Sequence, residues 1–269
     1  MTVAEMKPEI QLGERIAEGK TKVLYAVPDA ELWPDGQLVY MVHKDAITAG
    51  DGAKRDVLVD KGELSCRTTS AVYQLLESLG IPTHYVATAD ARTMVVRQVD
   101  MIPIEWVARR IATGSYVRRT GVIEGTRFED LMLEMFLKDD AKHDPLITRE
   151  EAIENELCTD VEVDAALELT AAIFAILERA WDAQGIQLVD LKVEFGRTPQ
   201  GLLLADVIDN DSWRLWPHGK RELMLDKQVY RDLPEATESA LAGIRDRYVE
   251  VAERVERFYT QDVGEQVPA

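Results

Sequence analysis

Short runs of β-branched and aromatic residues fill the first hundred positions of the chain. Their hydrophobic pattern predicts β-strands at residues 23–27, 38–42, 84–87 and 93–96. Between the second and third of these, residues 65–79 carry apolar side chains at helical spacing, and Gly80 and Pro82 then end the predicted helix. Because a proline interrupts residues 101–105, we expect a β-rich lobe at residues 1–100 and a second lobe at residues 101–269.

Longer helices alternate with extended runs in the second half of the chain. A helix is predicted from about Asp164, a good N-cap, to Gln184, with Gly185 as the stop. Two extended runs follow at 186–196 and 201–209, separated by the letters RTPQ, and they predict a β-hairpin. The amphipathic pattern at about 238–258 predicts a last helix that packs on the larger lobe or on another subunit.

Composition narrows the class of protein. Hydrophobic residues make up 46% and charged residues 30% of the 269 positions, without an apolar run long enough to span a membrane. The amino terminus has neither the apolar centre of a signal peptide nor the Arg-rich character of a transit peptide, so we expect a soluble cytoplasmic protein. The only cysteines, Cys66 and Cys158, suit a reducing compartment and are expected to be inert thiols.

The formal net charge of −18 argues against nucleic acid as a partner, because proteins that bind phosphate backbones normally present a basic patch. Anionic substrates would therefore need a local basic pocket within an acidic protein. Individual lysines and arginines become informative for this reason.

The predicted hairpin carries the most specific pattern. Strand alternation places Asp190, Lys192 and Glu194 on one face. If the turn centres on Gln200, Glu194 and Asp206 lie opposite each other, close enough for both carboxylates to ligate one Mg²⁺. A surface sheet with scattered charges is the alternative, but it explains poorly why Asp206 follows the apolar run LLLA, so we favour a metal site.

A glycine turn is predicted at Gly19-Lys20-Thr21. The letters resemble the end of a Walker A loop, but Gly13 is one residue too far upstream, and the β-branched and aromatic residues that follow do not suit a helix. A turn between two strands could close over nucleotide phosphates, with Lys20 and Lys22 supplying charge. Taken alone, a solvated hairpin is the more frequent explanation of such a turn.

Three further segments are candidates for anion or metal binding. Four arginines surround a Thr-Gly-Ser sequence at 113–115, which suggests capture of a phosphate or carboxylate as readily as a solvated surface; they are Arg109, Arg110, Arg118 and Arg119. Arg214 lies between two tryptophans, where either a planar anionic ligand or a salt-bridged loop would fit. The segment 136–145 holds Lys138 and Asp144 and could bind metal or form a solvated turn, whereas the four histidines show no ligand spacing.

Six segments, taken together and in this order, resemble the successive motifs of the SAICAR synthetase family: EGKTKVLY, HKDAITAGDGAKRD, IEWVARRIATGSYVRR, FLKDDAKHDP, VDLKVEFG and ADVIDNDSWRLWP. The resemblance covers roughly residues 12–260. It implies an α+β fold of two lobes, a β-rich nucleotide-binding lobe and a larger α+β lobe with the metal and ribonucleotide sites, and ATP in the cleft between them.

The resemblance also implies a reaction. ATP, L-aspartate and carboxyaminoimidazole ribonucleotide (CAIR) would give the succinocarboxamide SAICAR, ADP and phosphate through an acyl phosphate, with Mg²⁺ as cofactor. A small-molecule kinase that stops after phosphoryl transfer and a non-catalytic nucleotide-binding protein are the rival hypotheses. The partners are then small molecules, neither nucleic acid nor a membrane, and the chain could form a homo-oligomer.

Residue roles carry over from the matching motifs. ATP would contact Gly19, Lys20, Lys22, Lys138 and Asp144, and Mg²⁺ would bind Glu194 and Asp206. Lys192 would stabilise the migrating phosphoryl group, supported by Asp190. The ribonucleotide would contact Arg109, Ser115, Asp211 and Arg214. The aspartate pocket is not assigned by these motifs.

Overall fold

The β-branched runs of the first hundred residues form an antiparallel sheet of five strands. The computed structural model describes residues 10–28, 37–50 and 52–260. The sheet order is β1-β2-β3-β7-β6, while β4 and β5 pair separately and one long helix follows them. The elements are β1 (Arg15–Glu18), β2 (Lys22–Ala26), β3 (Leu38–His43), β4 (Ala46–Ala49), β5 (Lys54–Val57), α1 (Lys61–Ser78), β6 (Tyr85–Asp90) and β7 (Thr93–Arg97).

A second antiparallel sheet, of six strands, occupies the rest of the chain. Its order is β10-β9-β11-β12, and β8 and β13 also pair with β11. Short 3₁₀ turns lie at 140–142, 221–223 and 256–260. The elements are β8 (Asp100–Met101), β9 (Ile104–Ile111), α2 (Gly114–Thr120), β10 (Arg127–Leu137), α3 (Arg149–Glu154), α4 (Asp160–Asp182), β11 (Ile186–Thr198), β12 (Gly201–Ala205), β13 (Trp213–Pro217), α5 (Gln228–Asp232) and α6 (Glu238–Val255).

The two antiparallel sheets and their helices confirm the predicted α+β class. All four strands predicted in the first hundred residues are present, and the hairpin of β11 and β12 is confirmed. The boundary predicted near Asp100 falls at β8, which follows the last strand of the first sheet and pairs with the second sheet. The division into lobes at that residue stays a prediction, because α1 packs against α6 from the other end of the chain.

The predicted N-cap of α4 is wrong. The helix begins earlier, at a capping box in which Thr159 accepts a hydrogen bond from the N–H of Glu162 and the Glu162 side chain accepts one from the N–H of Thr159. Two helix donors are satisfied by this exchange, so the start is well defined. Asp164 instead lies in the second turn, where it pairs with Arg149 at 2.6 Å.

Apolar side chains of α4 pack on the second sheet and leave one face of β11 for chemistry. Leu191, Val193 and Phe195 of β11 are each at most 1% exposed and belong to the same core as Phe174 and Trp181 of α4. Burying one such side chain contributes about 1.5–3 kcal/mol. The residues between them on β11 therefore point away from the core. Among the described residues, none of the helices is both long enough and apolar enough to cross a membrane.

Candidate active site

Asp190 of β11 lies between two arginines because its strand is flanked by β9 and β13. Asp190 is paired in register with Arg109 on one side and with Arg214 on the other. Arg109 donates to Asp190 at 2.6 Å, and Arg214 donates to the same carboxylate oxygen. Arg109 also donates to Ser115, with 3.3 Å between Nη2 and Oγ. The structure thus brings together Arg109, Ser115 and Arg214, three of the four predicted ribonucleotide residues.

The guanidinium group of Arg109 is nearly buried and is paired with two carboxylates. It is 4% exposed and donates to Glu134 at 2.7 Å in addition to Asp190. Glu134 accepts from Arg119 as well, so this carboxylate connects two of the four clustered arginines. Arg110, in contrast, points to the other side of β9 and pairs with Glu178. The four arginines therefore do not form one anion site.

Lys192 lies one step further along the same face of β11. Its ammonium group donates to Glu105 at 2.9 Å and to Glu194 at 2.8 Å. Asp190, by contrast, is paired with Arg109 and Arg214, and its support of Lys192 stays a prediction. Burial alone would lower the pKa of Lys192, but the neighbouring carboxylates outweigh it and raise this pKa well above its usual value. Lys192 is therefore a charged group at neutral pH.

The predicted pairing of Glu194 with Asp206 is wrong by one residue. Glu194 lies opposite Ala205, because the turn between β11 and β12 consists of two residues and Thr198 pairs with Gly201. Asp206 is the next residue, where the chain leaves the strand with φ of 63°. Both carboxylates nevertheless line the same cavity of about 1000 Å³.

Lysines surround the two carboxylates. Glu194, 2% exposed, accepts from Lys138 and Lys192, and Asp206 accepts from Lys22. Burial alone would raise the pKa of Asp206, but Lys22, Lys192 and Lys138 outweigh it and hold this pKa far below its usual range. Among the described residues, no group of three or more His, Cys, Asp or Glu side chains could hold a metal ion by itself. A cation at Glu194 and Asp206 would need further oxygens from a ligand.

The glycine turn closes one side of this cavity. The N–H of Gly19 donates to the carbonyl of Lys22 at 2.9 Å, which makes a tight connection between β1 and β2. Strands on both sides confirm that the segment is not a Walker loop. Gly19, Lys20 and Lys22 all line the cavity of about 1000 Å³, and Lys20 pairs with Asp140 across it at 2.7 Å.

The segment 136–145 forms the border between this cavity and a second one of about 510 Å³. Lys138 lines the first, and Asp144 lines both. The Asp144 carboxylate accepts from the N–H of Asp139 at 2.9 Å, so it also stabilises its own turn. The segment is therefore a hydrogen-bonded turn that borders both cavities, and its role in binding stays a prediction.

The second cavity holds the arginine site, and the two cavities meet at shared residues. Arg109, Ser115, Asp190 and Arg214 line the second cavity. Lys192 and Asp211 line both. A third cavity of about 570 Å³ between α1 and α6 contains none of the predicted site residues. The predicted residues are therefore brought together around two adjoining cavities.

Sequence reasoning missed the partners of Asp211. Lys227 donates to it at 3.0 Å, Tyr248 donates at 2.8 Å, and Lys61 lies 3.3 Å away. Burial alone would raise the pKa of Asp211, but Lys61 and Lys227 outweigh it and lower this pKa strongly. Glu105 and Glu134 were missed as well. Only Lys61 carried a usable signal, since it begins a series of polar residues spaced by four in α1.

Comparisons with known proteins show the family of this chain. The family model described as SAICAR synthetase matches residues 15–247. A phosphoribosylaminoimidazole-succinocarboxamide synthase from Roseiflexus sp. (strain RS-1) is 50% identical over 254 residues, covering 94% of this chain and all of that protein.

Two solved structures share the fold. The synthase of the same name from Ehrlichia chaffeensis has 32% identity and a TM-score of 0.79, covering 90% of this chain and 98% of its own. A SAICAR synthetase (Type-2) in complex with ADP has 30% identity and a TM-score of 0.78, covering 94% and 99%. The chain therefore belongs to the SAICAR synthetase family, as its six motifs predict.

Proposed function

We propose that this chain joins L-aspartate to the carboxylate of CAIR with ATP, giving SAICAR, ADP and phosphate. Membership of the family supports the reaction. The observation that carries the assignment to residues is the meeting of two cavities at Lys192, one lined by lysines and carboxylates and the other by arginines. A phosphate donor and an anionic acceptor need such neighbouring sites.

The chemistry explains why both cavities are needed. An amine does not displace oxide from a carboxylate, so a carboxylate oxygen of CAIR first attacks the γ-phosphorus and the bond to the β-phosphate oxygen breaks, which releases ADP. The amine of aspartate then attacks the acyl carbon, phosphate leaves, and the nitrogen loses a proton. Each step brings anions together, and fixed positive charge lowers the repulsion between them.

ATP belongs to the cavity of about 1000 Å³ in this proposal. Backbone around Gly19 and the ammonium groups of Lys20, Lys22 and Lys138 are placed to hold phosphate oxygens, with Asp144 at the border. The neighbour solved with ADP supports a nucleotide at this type of fold. Each of these lysines is paired with a carboxylate, so phosphates would replace existing partners of the lysines.

Glu194 and Asp206 are the proposed ligands of Mg²⁺. Both are carboxylates paired with neighbouring lysines, and Mg²⁺ is commonly bound by one or two carboxylates together with substrate phosphates. The bound ion would supply positive charge between the nucleotide and the acceptor. The protein-only donor set of two carboxylates fits this arrangement, because the remaining ligands come from phosphate and water.

The ribonucleotide belongs to the arginine cavity. Arg214 and Ser115 are placed to bind its phosphate or carboxylate, and Asp211 to accept from its amino group. Arg109 contributes from a nearly buried position, where two carboxylates fix its guanidinium plane. Lys192 lies where the cavities meet, so its ammonium group can stay close to the phosphoryl group during transfer. A cytoplasmic location and a homo-oligomeric state stay predictions from the sequence.

The purified chain with Mg²⁺, ATP and CAIR is expected to form SAICAR only after L-aspartate is added. Product absorbance and ADP release, followed in the same sample, test this outcome. Stoichiometric ADP release without aspartate would instead identify a small-molecule kinase. If neither SAICAR nor ADP forms, the proposed ligation is refuted.

A further inference from the structure

Helix α1 carries a stripe of polar residues at intervals of four. These are Lys61, Ser65, Thr69 and Tyr73, which lie on one face of the helix because positions four apart are neighbours. Each is at most 4% exposed. Buried polar groups destabilise a fold unless they find hydrogen-bond partners, so the partners of this stripe show what it binds.

All four residues of this stripe contact the chain between β12 and β13, at residues 205–211. Their order along the helix runs opposite to the order of their partners along the segment. Two of the four contacts are to backbone carbonyls and two are to carboxylates. The Tyr73 hydroxyl donates to the carbonyl of Ala205 at 2.9 Å, and the Thr69 hydroxyl donates to the carbonyl of Ile208 at 3.2 Å. The Ser65 hydroxyl donates to the carboxylate of Asp209, and the ammonium group of Lys61 lies 3.3 Å from the carboxylate of Asp211.

The segment 205–211 is also held by contacts outside the stripe, such as the Ser212 hydroxyl donating to the carbonyl of Val207 and the Asn210 side chain donating to the carbonyl of Leu225. It lies outside any strand or helix over most of its length. Asp206 has φ of 63°, a left-handed conformation that a non-glycine residue keeps only when its surroundings impose it. One end of the segment carries Asp206 and the other carries Asp211, which line the two sides of the proposed active site.

We propose that the stripe of α1 is a positioning device that sets Asp206 and Asp211 relative to each other. It follows that Thr69, Tyr73 and Lys61 are positioning residues of the reaction, although none of these three lines either cavity. This inference rests on the proposed function, since it assigns a reason for the stripe within the same site. The stripe acts through the backbone at the Asp206 end and through charge at the Asp211 end.

The helix offers a matched control beside the stripe. Thr68 is 1% exposed and its hydroxyl has no hydrogen-bond partner among the described residues, whereas the adjacent Thr69 is fully buried and bonds to the segment. Tyr85 is likewise buried, but its hydroxyl meets Thr88 instead of the segment. The variants Thr69→Val and Tyr73→Phe can therefore be compared with Thr68→Val and Tyr85→Phe at equal change of shape.

The decisive measurement is the gain in ADP affinity on adding Mg²⁺, taken by calorimetry below the melting temperature of every variant. The expected gain falls roughly fivefold in Thr69→Val and in Tyr73→Phe, the effect of losing about one hydrogen bond to the carbonyls beside Asp206. ADP affinity without Mg²⁺ stays within about twofold of wild type, and both controls keep the full gain. In turnover assays Lys61→Met is expected to raise KM for CAIR more than KM for ATP.

Two outcomes separate this inference from the proposed function. If Thr69→Val and Tyr73→Phe lower the melting temperature but keep the full Mg²⁺-dependent gain, the stripe is only structural and the inference is overturned. If wild-type protein itself shows no Mg²⁺-dependent gain and forms no SAICAR, the proposed function and metal site fail, and the role of the stripe fails with them.

Discussion

Neighbouring lysines determine the ionisation of individual carboxylates in this site. Asp206 is half-buried yet ionised, because Lys22, Lys192 and Lys138 together outweigh the burial that would favour its neutral form. Glu194 is nearly inaccessible and is held by two of the same lysines. Asp206, kept ionised in this way, is available as a ligand as soon as a cation and phosphates displace the lysines.

Neutral amides in place of these carboxylates test the metal assignment. Glu194→Gln and Asp206→Asn are each expected to reduce turnover at least about 100-fold, because an amide keeps the volume but loses the charge that binds Mg²⁺. Steady-state assays measure the loss, and circular dichroism verifies the fold. Glu178→Gln, which breaks an ion pair with Arg110 outside the cavities, serves as the control. Near-normal turnover in both site variants would contradict the assignment.

A substitution at Gly114 tests whether the position of Arg214 matters for substrate binding. A Cβ at Gly114 would lie 2.6 Å from the nearer guanidinium nitrogen of Arg214, and φ there is 58°. Gly121 has a similar φ of 74°, but a Cβ there would have no atom of the described residues within 4 Å. Both alanine variants therefore carry the same backbone strain of about 1 kcal/mol, while only Gly114→Ala displaces the arginine.

We expect Gly114→Ala to raise KM for CAIR roughly tenfold, because a charge-assisted contact is lost, with a smaller effect on KM for ATP. Gly121→Ala should lower thermal stability by a similar amount without changing KM for CAIR. Equal KM values in the two variants would show that Arg214 does not contact this substrate.

At the scale of elements, the sequence was most informative where local chemistry decides the structure. Alternation along β11 correctly placed Asp190, Lys192 and Glu194 on one face, since side chains of a strand alternate regardless of its neighbours. The predicted register between β11 and β12 was wrong, because register depends on whether the turn contains two residues or is centred on one. The pairing of β11 with β9, β8 and β13 could not be predicted either, because contacts between distant parts of the chain determine which strands become neighbours.

The start of α4 is an element-level error that the sequence could have avoided. Thr159 and Glu162 have the spacing of a capping box, and this signal is more specific than the single acidic residue Asp164. Thr159→Ala is expected to lower the free energy of unfolding by about 1 kcal/mol, measured by urea denaturation. Asp164→Ala should have a smaller effect, because its ion pair with Arg149 is on the surface. A larger loss of unfolding free energy in Asp164→Ala than in Thr159→Ala would indicate that Asp164 stabilises the start of the helix more than Thr159 does.

For the whole molecule, the site exists because the two sheets are joined beside it. Lys22 and Asp206 are 184 residues apart in the chain and meet only when the first sheet lies against the second. Backbone contacts at the junction include the N–H of His84 donating to the carbonyl of Leu204 at 2.9 Å. Spacing and periodicity cannot foresee such contacts, so only the resemblance of several motifs to one family could assemble the site from the sequence.

His84 makes this junction sensitive to acid. Its Nε2 lies 3.1 Å from the carbonyl of Asp206, which can only accept, so the ring donates from this nitrogen. The pKa of His84 is lowered from 6.5 to about 4, mainly by burial; Asp206 opposes this shift and Lys22 adds to it. The neutral ring is therefore the form that the folded state favours.

Stability should consequently fall as the pH drops from about 6.5 toward 4, because the unfolded chain binds a proton there that folded His84 does not. Between pH 7 and pH 5 this one residue is expected to contribute about 2 kcal/mol of the loss. His84→Gln, whose amide can still donate to Asp206, should show a correspondingly smaller loss in urea denaturation at the two pH values. His218→Gln at an exposed position should keep the wild-type loss. Equal losses in wild type and His84→Gln would mean that acid acts on the molecule elsewhere than at this junction.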